Sequence, residues 1–172
     1  MSAHANEGPF EIVSLNVSEK KGVRKTPVER IVLEEGRGVR GDAHSGVLED
    51  RQVSLLAVEE IEGANAKLAS GGYDACVKAP PGGIKPGDFA ENITTRGLAL
   101  HELPIGTQLE IGPEVGEPEV VLEVSKIGKE CHADCEIKRL VGDCVMPRRG
   151  IFARVVKGGE VGRADRGHYR IG

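Results

Sequence analysis

The sequence predicts a mainly β, barrel-like fold with a few short helices. Short runs rich in Val and Ile favour strands, and the 24 glycines and 9 prolines divide these runs as turns divide short strands. One segment clearly changes to a helical period, and strands and helices do not alternate repeatedly. A chain of 172 residues can bury a core without disulfide bonds. We therefore expect one domain over residues 1–172, with its core at about 10–165.

The first predicted strands alternate apolar and polar residues. FEIVSLNVSE (Phe10–Glu19) is the first, a basic turn KKGVRKTP follows, and VERIVLEEG (Val28–Gly36) is the second and ends at glycine. A third strand at Gln52–Leu56 leads into the one clear helix. The apolar residues of that helix recur at helical spacing: Val58, Ile61, Ala64 and Leu68.

The second half of the sequence begins with a long loop. Ala69–Asp88 is rich in Gly and Pro, and loops of this length in compact domains are usually functional or mobile. IKRLVGDC, at 137–144, is compatible with a short helix. Further strands are predicted at Asn92–Thr95, Thr107–Ile111, Val120–Ile127, Ile151–Val156 and Tyr169–Ile171.

Composition argues against two classes of partner. With 23 basic and 27 acidic residues the net charge is -4, which gives no overall attraction to nucleic acid or an acidic membrane surface. The N-terminus has no leader pattern and no window is long enough to span a bilayer, so we expect a cytoplasmic protein. Basic residues gather locally, where they are candidates for anion sites: Lys20, Lys21, Arg24, Lys25, Arg37, Arg40, Arg51, Arg148, Arg149 and Arg154.

The segment GRGVRG (Gly36–Gly41) matches a dinucleotide-binding pattern, but the context argues against that function. A helix should begin at the third glycine, whereas the chain continues with the turn sequence DAHSG. The glycines instead predict a sharp reversal with positive φ. GVRGDAHSG then forms a loop in which Arg40, Asp42 and His44 lie side by side and could hold an anion.

A cluster of thiols is the strongest chemical signal. Cysteine is rare in the chain, yet GKECHADCEIKRLVGDC holds Cys131, His132, Cys135 and Cys144. A structural zinc site lacks the usual pair of matching C-x₂₋₄-C hairpins, and buried inert thiols are a second alternative. The third is a reactive or soft-metal thiolate, because nearby positive charge lowers a thiol pKa. Basic residues flank the segment at Lys126, Lys129, Lys138 and Arg139.

Taken in order, several segments resemble the MOSC domain, the family of molybdenum cofactor sulfurase C-terminal domains. Within this family, the order of the segments is most similar to that of small stand-alone bacterial or archaeal members. They are GVRGDAHSG, RQVSLLAVEEIE, KPGDFAENITTRGL, LPIGTQLEIG, LEVSKIGKECHADCEI and RRGIFARVVKGGEVGRAD. The resemblance extends from about Phe10 to Asp165. It implies a β-barrel domain that handles the molybdenum cofactor (molybdopterin), held permanently or transiently.

The resemblance also implies site residues. The family's cysteine corresponds to Cys131 first and Cys135 second, as the catalytic thiol, with Cys131 the molybdenum ligand. Ala90 stands where the family usually has glycine, which puts the turn before Glu91 in doubt. Arginine forks and backbone amides suit an anionic pterin. The residues expected to bind the cofactor are Arg40, Asp42, His44, Arg51, Glu91, Asn92 and Arg149.

Three functions are compatible with this reading. The first is a sulfur carrier or cofactor-binding domain acting in cofactor maturation or delivery, with a sulfur donor and cofactor-assembly proteins as partners. The second is a molybdenum-dependent reductase of N-hydroxylated compounds, which would need a separate electron-transfer partner. The third is a non-enzymatic, metal-stabilised interaction module. At the level of the family, the resemblance also implies transferase or oxidoreductase activity and pyridoxal phosphate binding.

Overall fold

The mainly β fold predicted from the sequence is confirmed. The computed structural model describes residues 5–70, 82–128 and 145–172, and it contains 42% strand and 13% helix. The strands are β1 (Glu7–Val17), β2 (Thr26–Val28), β3 (Arg30–Glu34), β4 (Gly38–Val39), β5 (Val53–Ala57), β6 (Ile93–Arg96), β7 (Gln108–Gly112), β8 (Val120–Ile127), β9 (Ile151–Lys157), β10 (Gly159–Gly162) and β11 (Arg166–Arg170). The helices are α1 (Val58–Ala69), a 3₁₀ turn (Leu100–Glu102) and α2 (Met146–Arg149).

Seven strands close into a barrel. Their order is β11, β7, β8, β9, β5, β6 and β1, and pairing of β1 with β11 closes the ring. Only the β5–β6 neighbours in this ring run parallel, so a connection that includes α1 must carry the chain from one to the other. β2 pairs with β1 outside the ring, and β10, β3 and β4 form a separate three-stranded sheet. Closure leaves no unpaired edge in the barrel wall.

Aliphatic side chains fill the barrel, as expected for a chain with 3% aromatic residues. Leu15, Leu55, Ile93 and Leu122 are fully buried in one cluster, and each contributes about 1.5–3 kcal/mol by leaving water. A second apolar cluster packs α1 against the neighbouring loops and strands. It contains Leu56, Ile61, Ala64, Ile84, Phe89, Val145, Met146 and Phe152.

The predicted helix and long strands are present, whereas the short strands β2, β4 and β10 were not predicted. β4 and β10 consist largely of glycine and valine, in segments too short for an alternating pattern. The predicted reversal at GRGVRG is confirmed, because Gly36, Gly38 and Gly41 have φ of 70°, 121° and 79°. A Cβ on Gly38 would lie 2.2 Å from the carbonyl oxygen of Gln52.

Two sequence predictions fall outside the described residues. They are the short helix at 137–144 and the part of the long loop at 71–81. Among the residues that the structure describes, no helix is long and apolar enough to cross a membrane.

Candidate functional site

A buried ion pair connects the 40s loop, the segment GVRGDAHSG at Gly38–Gly46, to Lys25, which directly precedes β2. The Lys25 ammonium lies 2.7 Å from Asp42 Oδ1, and both side chains are 1% exposed. The same carboxylate accepts hydrogen bonds from the backbone N–H groups of Ser18, at 3.0 Å, and His44, at 3.2 Å. Burial alone would raise the pKa of Asp42, but the neighbouring His44 ring, the hydrogen bond and charge of Lys25, and the Ser18 backbone N–H hold the pKa well below its ordinary value. Asp42 is therefore a carboxylate at neutral pH.

His44 stands between this ion pair and solvent. Its Nδ1 lies 3.3 Å from Lys25 Nζ and 3.5 Å from Asp42 Oδ2, and its side chain is 40% exposed. The ring is thus held by one nitrogen while part of it remains open. Two predicted site residues, Asp42 and His44, are brought together here.

A small hollow of about 70 Å³ lies beside His44 and is also lined by Val47, Leu48, Arg51 and Phe152. The guanidinium of Arg51 lies 5.7 Å from the centre of the Phe152 ring, within the range of a cation–π contact. Arg51 Nε is buried and has no hydrogen-bond partner in the described part of the chain. A buried donor without a partner is costly, so the hollow is suited to a ligand that carries acceptor atoms.

Asn92 has a clear structural function. Its Oδ1 accepts hydrogen bonds from the Ser54 backbone and hydroxyl, both at 3.1 Å, and its Nδ2 donates to the Asn16 carbonyl at 3.2 Å. These bonds connect β1 and β5 at the start of β6. The amide therefore satisfies buried backbone groups.

Glu91 is the second buried acid in this region. Its side chain is 0% exposed; Oε2 accepts a 2.8 Å hydrogen bond from Thr94, while Oε1 has no partner among the described residues. Burial raises the pKa of Glu91 to about 7, against the opposing hydrogen bonds from Thr94 and the Gly87 backbone. Glu91 is thus poised between its neutral and charged forms near neutral pH.

The turn before Glu91 keeps a conformation that glycine prefers. Ala90 has φ of 64°, and its N–H bonds to the Gly87 carbonyl at 2.9 Å. The turn therefore forms even with alanine at this position. Alanine adopts the left-handed conformation at a cost in conformational free energy.

Lys25 links Asp42 to the loop before Glu91, whereas the sequence indicated it only as one member of a basic cluster that could bind an anion. Its backbone N–H donates to Gly87 O at 2.8 Å, while its side chain reaches Asp42. A Cβ on Gly87 would lie 2.4 Å from Lys25 O, so the approach requires glycine. In the sequence Lys25 looks like its neighbours Lys20 and Lys21. Only the fold distinguishes it, since those two side chains are exposed.

Two predicted arginines contact other partners. Arg40 is 64% exposed and pairs with Glu34 at 3.6 Å. Arg149, in α2, lies 3.9 Å from a Glu60 oxygen and contacts the His101 ring. Among the contacts that the structure describes for these two arginines, neither side chain joins the Asp42–His44 group.

The candidate thiols, Cys131 and Cys135, lie outside the described residues, as do His132 and Cys144. The described chain stops at Gly128 and resumes at Val145. Gly128 N–H donates to Gly150 O at 2.7 Å, next to the start of β9, and Val145 packs in the same apolar cluster as Phe152. Both ends of the cysteine segment therefore lie close to the strand that contributes Phe152 to the hollow.

Within the ranges 5–70, 82–128 and 145–172, no group of three or more His, Cys, Asp or Glu side chains is arranged to hold a metal ion. The polar side chains that line the hollow are those of His44 and Arg51, both of which carry nitrogen donors. The described part of the site is therefore suited to anions.

The chain belongs to the MOSC domain family. The family model matches residues 40–166, which include the 40s loop, Arg51, Glu91 and the cysteine segment. No relative among curated proteins matches the chain.

Solved structures share the fold. The YUAD protein from Bacillus subtilis is similar with a TM-score of 0.72 at 16% identity, covering 96% of this chain and 98% of that one. YiiM from Geobacillus stearothermophilus gives 0.64 at 19% identity, covering 94% and 75%. YiiM from Escherichia coli gives 0.64 at 16% identity, covering 94% and 69%. At these identities the similarity is one of fold.

Proposed function

We propose that this protein binds the molybdenum cofactor, or carries sulfur for it, in cofactor maturation or delivery. The observation that carries the proposal is the buried Nε of Arg51, which has no hydrogen-bond partner among the described residues and belongs to a side chain that lines a hollow with His44 and Phe152. Phe152 lies in β9, the strand close to both ends of the cysteine segment. Membership of the MOSC family makes the cofactor the relevant ligand to test.

The described residues fit an anionic group. The pterin phosphate and an oxo-metal centre both present acceptor oxygens, and Arg51 and His44 are the donors at the hollow. Val47 and Leu48 add exposed apolar surface beside them. Arg40 and Arg149 remain candidates for more distant contacts with the cofactor. When bound, the cofactor would supply molybdenum redox and sulfur-transfer chemistry.

The chain's own residues have separate tasks in this proposal. Arg51 binds the anionic group, and His44 donates a hydrogen bond beside it. Asp42 and Lys25 hold the 40s loop in place. Cys131, or in second place Cys135, supplies a thiolate that ligates molybdenum or carries a persulfide sulfur. Partners would be a sulfur donor and cofactor-assembly proteins.

Anaerobic purification followed by metal analysis and pterin fluorescence tests the proposal. We expect molybdenum with pterin, or cyanide-labile sulfur, associated with the protein. Stoichiometric zinc alone would contradict the proposal and favour a metal-stabilised interaction module. If molybdenum is present, reduction of a hydroxylamine by an artificial donor would identify a reductase instead of a delivery protein.

Cysteine variants then identify the thiol. We expect Cys131→Ser to abolish cyanide-labile sulfur or molybdenum binding, and Cys135→Ser to retain it. Cys76→Ser is the control, because that thiol lies outside the cysteine cluster. The reverse order of the two effects would exchange the residues' functions, and retention in both variants would contradict a thiol-based mechanism.

A further inference from the structure

The Lys25 ammonium contacts a hydroxyl and a ring nitrogen in addition to the carboxylate of its ion pair. Its Nζ lies 2.7 Å from Asp42 Oδ1, 3.1 Å from Ser18 Oγ and 3.3 Å from His44 Nδ1. An ammonium has three protons and no lone pair, so it can only donate. Each of the three neighbouring atoms must therefore act as an acceptor if all three contacts are hydrogen bonds.

The neighbouring hydrogen bonds agree with that direction. The Ser18 hydroxyl donates its proton to the Lys20 carbonyl at 3.0 Å, which leaves its oxygen free to accept from Lys25. Asp42 Oδ2 already accepts the His44 backbone N–H at 3.2 Å. Asp42 Oδ2 lies 3.5 Å from His44 Nδ1, whereas Lys25 Nζ lies 3.3 Å from it, so the ammonium is the nearer partner of that ring nitrogen.

We propose that Lys25 is a positioning residue that fixes the neutral His44 ring in the tautomer with its proton on Nε2. The Asp-x-His spacing in the sequence would suggest that the aspartate orients the ring, since a hydrogen-bonded carboxylate commonly sets the tautomer of a histidine. In this protein the Lys25 ammonium sets the tautomer of His44, and Asp42 holds the ammonium in place.

This arrangement determines what the hollow can bind. With Nδ1 occupied by the ammonium, the nitrogen left for a ligand is Nε2, and it carries a proton. His44 Nε2–H then presents a donor only, and the Arg51 guanidinium, whose side chain also lines the hollow, has donors only as well. The group seated there must carry acceptor atoms, such as the oxygens of an oxyanion. In this tautomer the Nδ1 lone pair accepts from Lys25 and Nε2 carries the proton, so His44 acts on a ligand as a hydrogen-bond donor and not as a general base.

Nitrogen NMR of the uniformly ¹⁵N-labelled protein tests the proposal without any ligand. At alkaline pH, where imidazoles are neutral, the His44 resonances are assigned by their loss in His44→Gln. We expect a protonated Nε2, an unprotonated Nδ1, and a coupling across the hydrogen bond between Lys25 Nζ and His44 Nδ1. A proton on Nδ1 in the wild-type protein would overturn the proposal.

Variants separate the effect of Lys25 from the intrinsic preference of the ring. In Lys25→Met the proton should move to Nδ1, with Asp42 as its acceptor, whereas Lys85→Met, at an exposed lysine, should leave the His44 spectrum unchanged. A folded Lys25→Met protein that keeps the Nε2 tautomer would refute the proposal. If Lys25→Met does not fold, the wild-type coupling still decides. Neither result depends on the cofactor, so failure here would leave the proposed function standing.

Discussion

Asp42 and Glu91 are both buried acids in the same region of the barrel, yet their environments favour opposite charge states. Asp42 has a cation at 2.7 Å and two backbone donors, so its pKa is lowered. Glu91 has hydrogen bonds from the Thr94 hydroxyl and the Gly87 backbone, and one oxygen without a partner among the described residues. Burial outweighs these hydrogen bonds and raises its pKa to about 7. The comparison teaches that partners, more than depth of burial, decide whether a buried carboxyl is charged.

Removing the cation should have the largest effect. Lys25→Met leaves the Asp42 carboxylate buried and unpaired, and we expect the free energy of unfolding to fall by about 3–5 kcal/mol. Urea denaturation measures the change. Arg30→Met, at a pair with Glu160 that is 67% and 50% exposed, is the control and should cost less than about 1 kcal/mol.

A double variant sharpens that prediction. Lys25→Met combined with Asp42→Leu replaces the pair by apolar groups, and we expect it to recover much of the lost stability. Equal destabilisation by Lys25→Met and Arg30→Met would show that the buried pair is not the anchor of the 40s loop.

The next largest effect is expected in the pH dependence of stability, where Glu91 and Asp42 should act in opposite directions. Its folded pKa of about 7 exceeds the ordinary value of 4.5, so the folded state binds more protons between these values. The free energy of unfolding should therefore fall as pH rises through this window, by about 3 kcal/mol in total. Glu91→Gln lacks this titration.

Denaturation of the wild type and Glu91→Gln at about pH 5 and about pH 8 measures the difference between the two proteins. Asp42 affects stability in the opposite direction. Because its pKa is lowered on folding, it stabilises the fold at pH values above its ordinary pKa of 3.8, and this stabilisation is lost only as the pH falls below that value. A stability difference between wild type and Glu91→Gln that does not change with pH would mean that Glu91 has an ordinary pKa.

The smallest effect is expected at the turn that positions Glu91. Ala90→Gly relieves the strain of a left-handed alanine, about 1–2 kcal/mol, but adds chain entropy to the unfolded state. We expect a net gain of about 0.5–1 kcal/mol in thermal or urea unfolding. Ala66→Gly, at an exposed position within α1, should instead lose about 1 kcal/mol. A loss in both variants would argue against strain at Ala90.

Local sequence patterns predicted the longer strands and α1 because periodicity is a local property. Val120–Ile127 was predicted with the bounds that the structure gives, and the helix with apolar residues from Val58 to Leu68 corresponds to α1. The strand pairing that closes the barrel could not be predicted from local patterns, because β1 pairs with β11, near the other end of the chain. Short glycine-rich strands such as β10 depend on a partner strand and leave no periodic signal.

The site was predictable in part, for a similar reason. Sequence motifs indicated Asp42, His44 and Glu91, but not their charge states. Lys25 lies 17 residues from Asp42 in the chain, and nothing local marks it as the partner. The depth of Glu91 depends on packing between β1, β5 and β6. Interactions between residues distant in sequence thus set the chemistry of the site.

The central claim is that the hollow beside His44 holds an anionic group of the molybdenum cofactor. Molybdenum and pterin content per chain, after anaerobic purification of the wild type, Arg51→Met and Arg163→Met, tests it most directly. Arg163 forms an exposed pair with Glu29 and serves as the control. We predict that the wild type and Arg163→Met carry the cofactor and that Arg51→Met, still folded, loses most of it. Equal loading of all three proteins, or no molybdenum in any of them, would contradict the claim.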